Sequence, residues 1–330
     1  MSTRRTLAVV LLVPLLAALA LWAFAWPAAR TAPRDLPLGV AGPATATAQM
    51  EKALRQHEGA FEIHHYADEA AARDAIADRT VYGAVVVTAQ GPELLTASAA
   101  SPVVAQLLQQ AVAQQTAASG GGAEVKVTDV VPASANDPRG AALSSSVLPL
   151  ALAGIIAGAV VTVVGLRGFR AVVALTGAAA LVGVVAAALA HSWLDVLGGN
   201  WWAEAGVFAL STLAVSAAVA GVAALVGTAG VGVVALLVMF LGNPFSGASS
   251  APQLLPEPVG TVGQWLPPGA SASLLRSVSF FDGAAATGPV LTLSWWAALG
   301  LGAVVLGSAL KGRARSGEPA VAERELMPAG

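Results

Sequence analysis

The chain has 330 residues, of which 56% are hydrophobic and only 11% are charged, and its formal net charge is −2. Soluble globular domains carry roughly 25% charged residues, so this composition excludes an ordinary soluble protein and indicates a membrane protein. The weak net charge and the lack of a large basic patch exclude nucleic acid as a partner. The absence of cysteine excludes disulfides, thiol catalysis and zinc–thiolate sites.

Residues 1–29 predict an N-terminal transmembrane helix. Arg4 and Arg5 precede an apolar run at residues 7–26, which is long enough to cross a bilayer. A signal peptide cleaved after residues 23–25 is the competing interpretation, and the arginine pair also fits a twin-arginine signal. The apolar run is longer than the roughly 7–15 residues usual in a signal peptide, which favours a retained helix with cytoplasmic arginines.

Residues 30–142 predict an α/β domain with the element order β-α-β-α-β-β-α-β. Alternating or β-branched runs predict the strands, and Asp68 is a candidate N-cap for the second helix. Residues 119–122 predict a linker before the last strand. A segment of this length is a normal domain size.

Residues 143–310 predict a domain of five further membrane helices, and residues 311–330 predict a cytoplasmic tail. The five apolar runs lie near residues 146–166, 171–190, 205–226, 231–241 and 289–310. Basic residues cluster before the first span, between spans two and three, and after the last span. Because such residues favour the cytoplasmic side, six spans with both termini inside satisfy every cluster. The expected fold is therefore a polytopic α-helical membrane protein, with the α/β domain inserted between helices 1 and 2 on the extracytoplasmic side.

Residues 242–283, here called the connecting segment, lie between the last two predicted spans. Prolines and glycines break the segment repeatedly, yet it carries many large apolar side chains. Irregular backbone at membrane depth is tolerated only where protein or a water-filled cavity surrounds it, so a re-entrant outer gate is one interpretation. The alternative interpretations are an interfacial helix anchored in lipid headgroups and a simple external loop. The candidate gate residues are Asn243, Pro244, Trp265, Pro267, Pro268, Gly269 and Arg276.

The predicted spans carry no charged residue in their middle, which argues against proton or sodium coupling. There is no Walker A pattern or other catalytic motif, so we expect no enzymatic activity and no cofactor.

His57, His64 and His65 raise a metal hypothesis. His64 and His65 are adjacent on a predicted strand, so their side chains point to opposite faces and make poor joint ligands; we expect no metal. Gly154 and Gly158 form a G-x-x-x-G motif that predicts either close helix packing or dimerisation.

Several stretches carry a family resemblance: residues 81–87 (VYGAVVV), residues 94–98 (LLTAS), Asn243-Pro244 and residues 266–270 (LPPGA). Together with the order of one span, a large α/β domain and five more spans, they make the chain similar to the ABC-2 type permeases. The bacterial branch close to the YhgE/Pip (phage infection protein) membrane proteins is the most similar part of that family. The resemblance implies a dimer of membrane subunits, homomeric or heteromeric, driven by a separate cytoplasmic ATPase. It also implies a loop before the last span that re-enters the outer leaflet.

The first functional hypothesis is the permease subunit of an ABC-2-like exporter in a bacterial plasma membrane, moving a hydrophobic or amphipathic substrate. Arg167 and Arg170 are the candidate ATPase contact, because they bracket the only charged internal turn. The alternative is a non-transporting, membrane-anchored surface or receptor protein that acts through its α/β domain. Five additional spans exceed what an anchor needs, which ranks the alternative second.

Overall fold

A computed structural model describes residues 3–56, 58–88, 91–118 and 125–316. His57, the predicted linker at 119–122 and tail residues 317–330 lie outside the described residues. The helices are α1 Thr3–Ala29, α2 Ala44–Arg55, α3 Glu69–Ala77, α4 Pro102–Ala118, α5 Ala141–Val164, α6 Gly168–Ala187, α7 Trp201–Val226, α8 Ala229–Leu236, α9 Val259–Gln264, α10 Pro267–Phe280 and α11 Thr287–Ser316. A π-helical turn extends α6 over Ala188–Trp193, and another extends α8 over Leu237–Gly242.

The α/β domain is built on one mixed sheet of five strands. The strands are β1 Leu36–Ala41, β2 Phe61–Tyr66, β3 Gly83–Thr88, β4 Gly91–Thr96 and β5 Lys126–Asp129. Their spatial order is β2-β1-β3-β4-β5, and only the β3–β4 pair is antiparallel. The order of elements along the chain matches the one predicted from the sequence.

Local sequence explains why these elements form. In β1 and β3 both faces are largely buried, which accounts for their continuous apolar composition rather than an alternating one. Helix α3 begins where predicted, because Asp68 Oδ1 accepts a 2.9 Å hydrogen bond from the Ala71 N–H group. The connecting segment contributes to both faces of the sheet: Phe281 joins the core on one face, and Leu254 joins the core on the other.

In the described ranges, five helices are long and apolar enough to cross a membrane: Thr6–Ala29, Ala141–Val164, Gly168–Trp193, Trp201–Val226 and Thr287–Lys311. The protein is therefore a polytopic helical membrane protein. Helix α7 lies at the centre of the bundle, packed by α5, α6, α10 and α11. Most side chains of α1 are exposed, although Ala23 is buried.

The helix at the fifth predicted span is shorter than the thickness of a bilayer. The apolar helix Ala229–Gly242 has a length of about 21 Å at 1.5 Å per residue, against a hydrocarbon core of roughly 30 Å. It ends at the connecting segment, which turns back into the protein instead of continuing the helix. The run predicted at residues 231–241 therefore lies where the helix is, and the helix ends within one residue of the predicted end.

Candidate functional site

The connecting segment folds back on itself through three backbone approaches that only glycine allows. A Cβ atom at Gly263 would lie 1.7 Å from the carbonyl oxygen of Phe245. A Cβ atom at Gly260 or Gly269 would lie 2.2 Å from a carbonyl oxygen, that of Pro252 or Gly263 respectively. Real Cβ atoms do not come this close, so the segment is a compact folded unit rather than an extended loop.

Helix α10 is the part of the segment that reaches into the membrane bundle. Pro267 and Pro268 occupy its first turn, where their missing N–H groups cost no hydrogen bond. Leu274 and Leu275 are each 2% exposed and share a core with Phe208 of α7. Nearly the whole circumference of α10 is buried, whereas an interfacial helix needs one face in the headgroups. The geometry therefore favours a helix enclosed by protein.

Arg276 is buried on the side of α10 that faces the turns of the connecting segment. Its guanidinium Nη2 donates a hydrogen bond to the carbonyl oxygen of Ala248. Arg276 and Asp137 line one small cavity of about 20 Å³, and the Asp137 carboxylate also accepts N–H groups at the start of α5. A buried cation needs such polar neighbours, so Arg276 holds α10 to the turns around Ala248.

The α/β domain is attached to α10 through Arg79. Its Nη1 donates to the carbonyl oxygen of Ser273 at 2.9 Å and to the hydroxyl of Ser277 at 2.5 Å. The guanidinium carbon also lies 5.2 Å from the centre of the Phe281 ring, a cation–π distance. Burial lowers the pKa of the Arg79 guanidinium from its ordinary value.

A second attachment joins the α/β domain to the turns that precede α9. The hydroxyl of Tyr82 donates a 2.8 Å hydrogen bond to Gln253 Oε1, and burial raises the pKa of that hydroxyl. Arg34 Nη1 donates to the carbonyl oxygen of Leu254 at 3.0 Å. The segment is therefore bonded to the α/β domain at several points.

The remaining predicted gate residues lie at the two ends of the turn region. A Cβ atom at Gly242 would lie 2.8 Å from Pro268 Cγ, so the start of the segment, next to Asn243 and Pro244, abuts the start of α10 and Gly269. The Asn243 carbonyl accepts a 2.7 Å hydrogen bond from the Ser246 hydroxyl. Trp265 is 66% exposed, and its carbonyl accepts a 2.9 Å hydrogen bond from Trp296 Nε1.

Arg167 and Arg170 lie at the opposite end of the bundle. Arg167 directly precedes α6 and lines a pocket of about 170 Å³ with Lys311 and Thr228. Both arginines are exposed. The pocket is formed by the ends of α5, α6, α7 and α11, so a partner bound there would contact four membrane helices.

Gly154 and Gly158 face α7 within the same chain. A Cβ atom at Gly154 would lie 2.7 Å from the Cβ of Val215, and one at Gly158 would lie 2.6 Å from the carbonyl oxygen of Ser216. These glycines therefore allow α5 and α7 to approach closely. The G-x-x-x-G motif therefore packs two helices of the same subunit against each other.

The two described histidines of the metal hypothesis, His64 and His65, contact different carboxylates. His64 lies 3.5 Å from Glu62, whereas His65 lies 3.4 Å from Glu51 on a different element. Across the part of the chain that the structure describes, no three His, Asp or Glu side chains are placed to hold a metal ion.

The sequence did not predict that a buried acidic residue lies in the helical bundle, at the end nearest the α/β domain. Glu204 precedes the apolar run predicted at 205–226, but it lies in the first turn of α7 and is fully buried. Its Oε2 lies 2.8 Å from His191 Nδ1, and its Oε1 accepts the N–H group of Gly199 at 3.1 Å. The signal was available: Asn200 is a good N-cap, and acidic residues favour the first turn of a helix.

Residues 4–166 match the family model described as ABC-2 family transporter protein. The match supports the ABC-2 permease family. It covers α1, the α/β domain and α5, and it supports a permease-type transporter role in a membrane rather than the receptor alternative. Permeases of the ABC-2 family typically work with a partner ATPase. No curated protein and no solved structure matches the chain.

Proposed function

We propose that this chain is the membrane-spanning permease subunit of an ABC-2-like exporter, and that a separate cytoplasmic ATPase powers it. The match of residues 4–166 to the transporter family is the observation that carries this proposal. The substrate is hydrophobic or amphipathic, because the predicted spans contain no central charge that would serve an ion pathway. The chain itself contributes no catalytic residues.

The proposed orientation places both termini and the Arg167–Arg170 turn in the cytoplasm of a bacterium. The α/β domain and the connecting segment then lie outside the plasma membrane or in its outer leaflet. Helix Ala229–Gly242 forms the fifth of six spans by continuing into the connecting segment. The basic residues at the start of α1, at the turn before α6 and at the end of α11 support this arrangement.

In this arrangement the connecting segment is the outer gate. It is enclosed by protein on most sides, as irregular backbone at membrane depth must be. It is also bonded to the α/β domain through Arg79 and Tyr82, so that domain moves with the gate. Two permease subunits, identical or different, form the complete pathway, and the YhgE/Pip-like proteins are the branch that the chain resembles.

Purification with an ATP-binding-cassette ATPase tests the proposal. Candidate ATPases are those encoded beside this gene. We expect a stable complex in nanodiscs whose rate of ATP hydrolysis rises when an amphipathic substrate is added. The matched control is the same ATPase with the Arg167→Ala/Arg170→Ala chain, which we expect to lose the stimulation. A chain that recruits none of the candidate ATPases would contradict the proposal.

A further inference from the structure

An open cleft of about 860 Å³ lies where the α/β domain meets the connecting segment. Its walls come from four places that are distant in sequence. They are the end of α3 (residues 77–78), the loop after β5 (130–134), the loop after α6 (195–198) and the end of α10 (279–284). A cleft of this volume accommodates a small organic molecule.

The charged residues that line the cleft are all acidic. Asp78, Asp195 and Asp282 line it and are exposed, and no lysine or arginine is among the lining residues. Arg79 follows Asp78 in the chain, but its guanidinium is bonded to Ser273 and Ser277 and lies over the Phe281 ring. The cleft therefore presents a negative potential, which favours a positively charged ligand.

The three carboxylates share the cleft but do not form a metal site. In the described residues no group of three His, Asp or Glu side chains is close enough to hold a metal ion. Asp195 Oδ2 instead accepts a 3.1 Å hydrogen bond from Asn136 Nδ2. Separate carboxylates in a wide cleft fit the spread charge of an organic cation better than a compact metal ion.

The same cleft offers apolar surface and a free hydroxyl. Val130, Val131 and Phe280 are partly buried side chains in its walls. Ser279 also lines it and is 3% exposed, and its buried hydroxyl makes no hydrogen bond to the described residues. A buried polar group without a partner is rare and costly, so a rotation of this hydroxyl toward a ligand in the cleft would remove that cost.

We propose that this cleft binds an amphipathic organic cation, with its positive group near Asp78, Asp195 and Asp282 and its apolar part against Val131 and Phe280. The proposal that the cleft binds such a cation depends only on the residues that line the cleft. That such a cation is the transported substrate rests on the proposed function, because the cleft adjoins the segment assigned as the outer gate.

Fluorescence polarisation of rhodamine 6G, an amphipathic cationic dye, tests the site. The full chain is placed in phosphatidylcholine nanodiscs, and the signal of empty nanodiscs is subtracted. Asn replaces the three aspartates together, because Asn tolerates the left-handed backbone at Asp195 and Asp282. We expect the Kd of this variant to rise about tenfold, since each lost ion pair is individually weak.

A charge-matched control carries Asp35→Asn, Glu58→Gln and Glu62→Gln, three exposed positions of the α/β domain that do not line the cleft. We expect its Kd to stay within about twofold of the unchanged chain, as electrostatic screening of distant surface charges requires. An unchanged Kd in the cleft variant, or an equal rise in the control, would overturn the site.

Competition on the unchanged chain gives an answer even if the cleft variant fails to fold. Tetraphenylphosphonium should displace the dye, whereas tetraphenylborate, an anion of nearly the same size and hydrophobicity, should not. Displacement by both ions, or by Ca²⁺ alone, would overturn an organic-cation site. Dye binding without ATPase-dependent transport would contradict the proposed function only. Transport with equal dye affinity in both variants would contradict the cleft site only.

Discussion

Arg79, two residues after the end of α3 in the α/β domain, donates a 2.9 Å hydrogen bond from Nη1 to the main-chain carbonyl of Ser273 in α10. The two residues are separated by 194 positions in the chain. The bond joins a domain outside the membrane helices to a helix packed among them. It gives the connecting segment a mechanical link to the α/β domain.

Replacing Arg79 should weaken that link. Arg79→Ala leaves the Ser273 carbonyl without this donor and removes the cation–π contact with Phe281. We expect a loss of about 1.5–3 kcal/mol in the free energy of unfolding, measured by denaturant titration in detergent. Arg55→Ala is the control, because Arg55 is largely exposed and its ion pair with Glu51, at 3.6 Å, lies on the surface of α2. Equal losses in the two variants would show that Arg79 contributes no more than a surface charge.

The folding of the connecting segment should depend on Gly263. Gly263→Ala places a methyl group 1.7 Å from the Phe245 carbonyl oxygen, so the backbone must shift. We expect a loss of at least about 1–3 kcal/mol in stability. Gly206→Ala in α7 meets no neighbouring atom within 4 Å and should be neutral or stabilising. Equal thermal midpoints for the two variants would mean that the close approach is not present in solution.

Helix packing within the subunit and dimerisation, the two interpretations of the motif that contains Gly158, predict different results. Gly158→Ala brings a methyl group to 2.6 Å from the Ser216 carbonyl of the same chain. We expect a lower thermal midpoint and an unchanged oligomeric mass by light scattering in detergent. Gly177→Ala in α6 is the control, since nothing lies within 4 Å of its added Cβ. A change in mass with full stability would instead assign the motif to dimerisation.

The turn at Arg167 and Arg170 should contribute to the coupling of ATP hydrolysis to transport and not to the stability of the fold. Both Arg167 and Arg170 are exposed, and surface charges contribute little to stability. We expect Arg167→Ala/Arg170→Ala to abolish ATPase-driven efflux with no change in thermal midpoint. Arg139→Ala, an exposed residue on the side of the α/β domain, should leave efflux intact. Normal efflux in the double variant would reject the ATPase contact.

The α/β domain should lose stability in acid through Glu93. A hydrogen bond from the Thr128 hydroxyl, followed by the bond from Lys126, lowers the pKa of the Glu93 carboxyl. The folded state therefore favours the carboxylate. This stability is present above the unfolded pKa of about 4.3 and is lost as pH falls through the lower folded pKa. Thr128→Val should flatten the acid limb of a stability–pH curve, whereas Thr80→Val at an exposed position should not.

The sequence predicts the parts of this protein that depend on local pattern. The order of strands and helices along the α/β domain and the N-cap at Asp68 follow from periodicity and capping chemistry, and hydropathy locates the long spans. These features depend on residues that are neighbours in the chain. The short helix Ala229–Gly242 was also located, with its end within one residue of the run predicted at 231–241.

The docking of the connecting segment was not predictable in the same way. Arg79 contacts Ser277 across 198 positions, and Tyr82 contacts Gln253 across 171. A proline-rich, apolar stretch predicts an irregular segment but not the partners that bury it. The pairing of Glu204 with His191 was missed for a related reason, because the helix boundary decided whether Glu204 counted as loop or span.

Thiol labelling of the connecting segment tests the gate most directly, because the chain has no native cysteine. Ser271→Cys places a thiol in α10 at a position that is 7% exposed, and Ser249→Cys places one at an exposed turn. In right-side-out vesicles, a membrane-impermeant maleimide should label position 249 quickly and position 271 slowly. ATP-driven turnover with the partner ATPase should raise the labelling rate at position 271. Equal, fast labelling of both positions at rest would show that the segment is an external loop and would contradict the gate.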